Sequence, residues 1–228
     1  MSLNSRKNLF YLLWFLVLTS PFITVFKNTE ITKVFSNDLI LLNVIQRIAG
    51  LLAFTLISIQ IVIGLFMEKW VQVVGSKAYR VHIVQGILTY GLVLFHPMME
   101  MAIVYNLTQN FLNSLAVILP RFDSQREVYL VYGKTALLLM TFAVTAAYFR
   151  TKPFFRQNWK KFHILNYFVF YSVFWHMRVG TDITTAPFVW VSWAALFFVT
   201  WGLIYKYLLK GFFSIKNRLN ADINKQKA

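Results

Sequence analysis

Apolar residues in this chain run in long blocks. They show neither the alternation of a half-exposed strand nor the one-sided stripe of a soluble helix. Blocks long enough to cross about 30 Å of hydrocarbon, roughly 20 residues each, lie near 8–26, 39–67, 81–105, 128–149, 162–179 and 187–209. The pattern predicts an all-α fold, a polytopic membrane bundle of six helices over residues 1–210 followed by a basic cytoplasmic tail at 211–228. The first block follows Arg6 and Lys7 as a signal peptide would, but no small-residue cleavage site precedes Lys27, and a retained helix is expected. The connection 106–127 contains FLNSLAVILP, which is too short to span and is expected to lie on the membrane surface or cap the bundle. No internal repeat stands out, and no low-complexity segment beyond the polar tail SIKNRLNADINKQKA.

Charge orients the predicted bundle. Of the 23 Lys and Arg, 16 fall in the N-terminal tail, the second and fourth connections and the stretch from Lys206 onward, and 5 fall in the alternate connections. By the positive-inside rule both termini are expected to be cytoplasmic, in an integral multi-pass protein of a bacterial cytoplasmic membrane whose first partner is the lipid bilayer. The net charge of +15 sits at the ends of apolar blocks and forms no continuous stripe, so nucleic acid is not an expected partner. The chain has no cysteine, which excludes disulfides, iron–sulfur clusters and thiolate metal sites.

That leaves four histidines as candidate metal ligands, His82, His96, His163 and His176. His82 and His96 are 14 residues apart on the third block, about 21 Å along a helix and only about 40° short of four full turns. Both can face one seam, one towards each membrane surface. In 163-HILNYFVFYSVFWH-176 the spacing is 13, which leaves about 140° of phase error on an ideal helix. The fifth helix must therefore tilt, tighten locally or offer its rings from different sides. Because the two blocks run in the same direction, His82 can face His163 while His96 faces His176. A pair is too few for structural zinc, which usually takes four ligands. A haem supplies four nitrogens and needs two axial ligands, so the stacked pairs read most economically as two haem b groups. Gly86 and Gly91 are expected to clear space for a flat macrocycle.

At these histidines the chain resembles the ferric reductase-like transmembrane domain, the six-helix module of ferric reductases and NADPH oxidases, over roughly residues 40–205. That resemblance implies that His82 and His163 bind a cytoplasmic-side haem, and His96 and His176 an external-side haem. It is also similar to the haem-binding membrane subunit of the bacterial methionine sulfoxide reductase system, through its size and WKKFHILNYFVFYSVFWH. That second family lacks a counterpart of His82. The flavin and nicotinamide module of the first has no room in the 20 or so residues after the last block, and no G-x-G-x-x-G fingerprint occurs. A separate flavin-containing or other reductase is thus the expected electron donor.

Charges in apolar surroundings complete the candidate site. Arg47, about two turns into the second block, needs a partner. In NADPH oxidases an arginine similarly placed lies beside the outer haem, so a propionate or an anionic acceptor is one reading and snorkelling to the interface the other. Lys134 is a candidate for the outer propionates together with Arg121 or Arg178. Arg80, with Arg150, Lys152, Lys160 and Lys161, could hold the inner propionates or dock an acidic donor, although topology alone also accounts for them. Glu100, one turn beyond His96, would favour Fe³⁺ over oxygen. Met98, Met99 and Met101 are ordinary apolar filler, and Phe168 or Phe170 is a candidate to lie between the haems.

No nucleophile–base pair stands out. The expected function is a membrane cytochrome b relaying single electrons to an external acceptor such as ferric iron, a quinone, oxygen or a reductase protein. The alternatives are a subunit feeding an external methionine sulfoxide reductase, or a proton or metal-ion transporter lined by His and Glu.

Overall fold

The computed structural model describes residues 3–209, and the tail expected at 211–228 lies outside them. Among the described residues the chain is helical and has no strand. The α-helices are α1 Leu3–Lys27, α2 Ile31–Val34, α3 Asp38–Leu65, α4 Met67–Val74, α5 Lys77–Thr108, α6 Phe111–Ala116, α7 Gln125–Tyr148, α8 Pro153–His163, α9 Leu165–His176 and α10 Phe188–Leu203. Short 3-10 turns at Met177–Val179 and Asp182–Thr184 join α9 to α10, and α10 widens into a π-turn at Ile204–Leu209.

The helix starts follow local chemistry. Asn37 caps α3 by accepting from the Leu39 and Ile40 amides, and Asn110 caps α6 in the same way from Leu112 and Asn113. Ser124 accepts from the amide of Glu127 at the head of α7. Pro153, whose missing N–H costs nothing at a first helical position, opens α8. Between α4 and α5 the backbone turns at Gly75 with φ 71°, a conformation that favours glycine.

Among the described residues five helices are long and apolar enough to cross a membrane: α1, α3, α5, α7 and the run Phe188–Leu209. The fifth expected block, 162–179, is not one continuous helix. It divides at Ile164 into the basic α8 and the apolar α9, whose 12 residues reach about 18 Å, short of the hydrocarbon thickness. A hydropathy window cannot register this interruption, because Ile164 is itself apolar and no Pro or Gly marks the break. FLNSLAVILP forms the short α6 and a turn, with Phe111, Leu112, Ile118 and Leu119 exposed.

α3 is the central post, the most deeply buried of the five, and it packs against α1, α5, α9 and α10. At its middle Phe54 is fully buried, stacked on Phe170 of α9 at 5.6 Å and edge-on to Phe188 of α10 at 6.0 Å. Such offset and edge-to-face contacts are the favoured aromatic geometries. α1 is tied in by two polar contacts: Trp14 Nε1 donates to Gln85 of α5 (3.1 Å), and Thr24 Oγ1 accepts the Phe188 amide (3.1 Å). Away from the core, Leu12, Phe15 and Leu16 of α1, Ile87 and Leu88 of α5, and Leu138 and Phe142 of α7 stand exposed. Such large apolar faces are costly against water and suit hydrocarbon. These are the helices of a membrane protein.

Candidate functional site

The elements carrying the histidines are laid side by side through their neighbours, since α5 packs chiefly on α3 and α9 chiefly on α7. His82 and His163 form a first pair with ring centres 6.2 Å apart and ring planes at 66°. His96 and His176 form a second pair at 6.0 Å and 79°. The pairing expected from two blocks running in the same direction is therefore the one found.

The fifth block tightens locally at the break between α8 and α9, which recovers part of the phase error of the 13-residue spacing. The Tyr167 amide bonds the Ile164 carbonyl (3.0 Å), an i to i+3 closure tighter than an α-helical turn. Each residue in such a turn advances about 120° instead of about 100°. Of the three ways sequence left open, local tightening is present.

The second pair has a complete shell. The His96 Nδ1 lies 2.9 Å from the Gln46 carbonyl oxygen, and the His176 Nδ1 lies 3.0 Å from that of Tyr129. A carbonyl only accepts, so both Nδ1 atoms carry a proton, and in the neutral ring each Nε2 keeps its lone pair. Metal-ligating histidines are commonly held this way. Four residues after each of these carbonyls comes a glycine on which the ring lies. A β-carbon at Gly50 would be 2.8 Å from His96 Cε1, and one at Gly133 would be 2.7 Å from His176 Nδ1.

Sequence reasoning missed these residues, although a signal existed. Gln46-x3-Gly50 and Gln60-x3-Gly64 on α3 repeat at 14 residues, the spacing of His82 and His96. The first pair meets the second copy: a β-carbon at Gly64 would lie 3.4 Å from His82 Cε1. Here side-chain amides approach the histidines. Gln60 Nε2 donates to the His82 carbonyl (2.5 Å), and Asn166 Nδ2 donates to the His163 carbonyl (3.1 Å) while lying 3.3 Å from its Nδ1. Of the glycines expected to clear space for a macrocycle, Gly86 clears it for Gln60, whose Nε2 would be 2.9 Å from a β-carbon there. At Gly91 a β-carbon would meet nothing within 4 Å.

The donor set suits a haem better than a bare ion. Among the described residues no three His, Cys, Asp or Glu side chains converge. Each site offers two imidazoles, the number needed by an iron that brings four nitrogens of its own. With metal–nitrogen bonds of about 2 Å and a ring centre roughly 1 Å behind its nitrogen, two imidazoles on opposite sides of one metal have centres about 6 Å apart. Both pairs stand at that separation.

Arg47 has its partner within the protein. Its Nε and Nη2 meet both oxygens of Asp182 at 2.7 and 2.6 Å, and its Nη1 donates to Thr29 (2.8 Å). Asn28 Nδ2 adds a bond to Asp182 Oδ1 (2.7 Å), so the knot joins the bend after α1, helix α3 and the loop before α10. Lys134 donates to the Leu119 carbonyl, Arg121 pairs with Asp123 (2.8 Å), and Arg178 stacks over Trp175 (4.3 Å). Arg80 is exposed in the first turn of α5. Glu100 accepts from Gln46 Nε2 (2.6 Å), which ties it to the residue whose carbonyl holds His96. Phe170 is buried against Phe54, whereas Phe168 is exposed.

Comparison of the chain with family models, with curated proteins and with solved structures finds no match.

Proposed function

We propose that the chain is a transmembrane b-type cytochrome of ferric reductase-like plan. It crosses a bacterial cytoplasmic membrane six times with both termini cytoplasmic, α8 and α9 together forming the fifth crossing, and it holds two haem b groups. One observation carries the reading: the four histidines stand as two pairs with ring centres 6.2 and 6.0 Å apart, the separation expected across one metal.

Bound between such pairs, a haem would supply one-electron chemistry. His82 and His163 would hold the inner group, and His96 and His176 the outer through Nε2. The Gln46 and Tyr129 carbonyls keep the outer rings in the ligating tautomer. Phe54, Phe170 and Phe174 pack together in the buried interior that the same helices share. Arg80 and the other cytoplasmic cations face the donor, a separate flavin-containing or other reductase. The acceptor is external, drawn from ferric iron, a quinone, oxygen or a reductase protein. The Glu100 carboxylate near the outer pair favours ferric iron among these.

The test is the pyridine haemochrome ratio of detergent-purified chain, with oxidised and dithionite-reduced spectra. Two haems are expected, falling to about one in His82→Ala or His163→Ala with loss at the inner site, and in His96→Ala or His176→Ala with loss at the outer. One haem in the unmodified chain would move the assignment to a methionine sulfoxide reductase subunit. None, in folded chain grown with haem, would end the cytochrome reading and leave a His- and Glu-lined transporter.

A further inference from the structure

We propose that in the haem-loaded chain the Gln60 side chain accepts the Nδ1–H of His82, which makes Gln60 the positioning residue of the inner site. The inference rests on the haem reading above.

Three observations lead to it. The Gln60 carboxamide already lies along His82, since its Nε2 donates to the His82 carbonyl at 2.5 Å. Its other end, Oε1, is buried without a hydrogen-bond partner, and so is His82 Nδ1. One of these atoms is an acceptor and the other can donate, and leaving both unmade in a buried site is unfavourable. Finally, α5 makes room for this side chain, because a β-carbon at Gly86 would lie 2.9 Å from Gln60 Nε2.

The α3 repeat gives the arrangement its meaning. In the first copy Gln46 serves His96 through its backbone oxygen, four residues before the glycine that the ring lies on. In the second copy Gln60 stands four residues before Gly64, on which the His82 ring lies. With His82 Nε2 turned to a metal, Nδ1–H is the ring's remaining polar group, and an acceptor there orients the ring and raises its basicity. The outer site thus depends on backbone oxygens that no substitution removes. The inner site depends on a side chain that one substitution removes.

The experiment is a potentiometric titration of full-length, haem-loaded chain in detergent, read by visible and EPR spectra of each haem, with haemochrome stoichiometry. Gln60→Leu, which loses the acceptor, is expected to favour the reduced inner haem by about tenfold, a shift of about 59 mV for one electron. It should also weaken inner haem retention by about 10–100-fold. Gln60→Glu keeps an acceptor and adds charge, so the inner midpoint should move the opposite way. The outer midpoint should stay put in both. A residue with only a packing role would not move one midpoint in opposite directions. If the unmodified chain holds two haems and neither variant moves the inner midpoint, the inference is overturned. If Gln60→Leu does not fold, Gln60→Ala, which also lacks the acceptor, takes its place in the comparison. An unmodified chain lacking the inner haem would overturn the haem reading, and this inference with it.

Discussion

Gly50 of α3 and His96 of α5 lie so close that a β-carbon on the glycine would sit 2.8 Å from Cε1 of the ring. The imidazole occupies the place of a side chain that α3 does not carry. Gly50→Ala is therefore expected to displace His96, and Gly133→Ala to displace His176, each lowering the haem-to-protein ratio from two to about one. Gly64→Ala meets His82 at an ordinary 3.4 Å and should keep both haems. Haemochrome assays on the three variants check this, and full haem in Gly50→Ala would count against the assignment of the outer site.

Arg47 and Asp182 are a largely buried, two-point ion pair, with side chains 24% and 8% exposed. Removing one partner leaves the other charge uncompensated, so Arg47→Ala or Asp182→Ala should cost about 3–5 kcal/mol. The thermal midpoint in detergent should fall accordingly, while the haem ratio is unchanged. Joint replacement by Arg47→Met and Asp182→Leu should recover most of the loss. Selective loss of the outer haem in Arg47→Ala, without loss of stability, would show instead that the arginine serves the cofactor.

Gln85 is buried on α5, accepting from Trp14 and donating to the Leu56 carbonyl (3.2 Å). Gln85→Leu should destabilise the chain by about 1–3 kcal/mol by leaving the indole N–H unpaired. Hydrogen exchange should rise first in α1, whose docking it secures. Adding Trp14→Phe should cost little more, and strictly additive losses in the double variant would show that the two side chains do not act as a pair.

Haem removal is expected to lower the melting temperature, because a ligand that binds only the folded state adds about 2.7 kcal/mol at a hundredfold excess over its Kd. Calorimetry on chain grown with and without a haem precursor measures the effect. An identical midpoint in loaded and depleted chain would argue that the groups are bound adventitiously.

The long helices were legible because apolar blocks of membrane length have few other solutions. The histidine pairing was legible because two blocks of equal direction and nearly equal spacing leave one sensible register. The need of Arg47 for a partner could be read from its apolar surroundings, but Asp182, 135 positions away, could not, since their meeting depends on how the loop before α10 meets the bend after α1. The break at Ile164 was hidden because hydropathy registers composition and not hydrogen-bond phase. The glycine notches were hidden for a related reason: a missing side chain matters only once the ring that fills its place is known.

The two Gln-x3-Gly motifs give α3 the character of a ruler. One extra residue between Gly50 and Gly64 would swing one notch by about 100° and slide it about 1.5 Å against the other. His82 and His96, held at a matching interval on α5, would then no longer both meet their glycines. Within this segment the apolar letters can change while the count cannot, so insertions and deletions here should be far more damaging than substitutions of similar size.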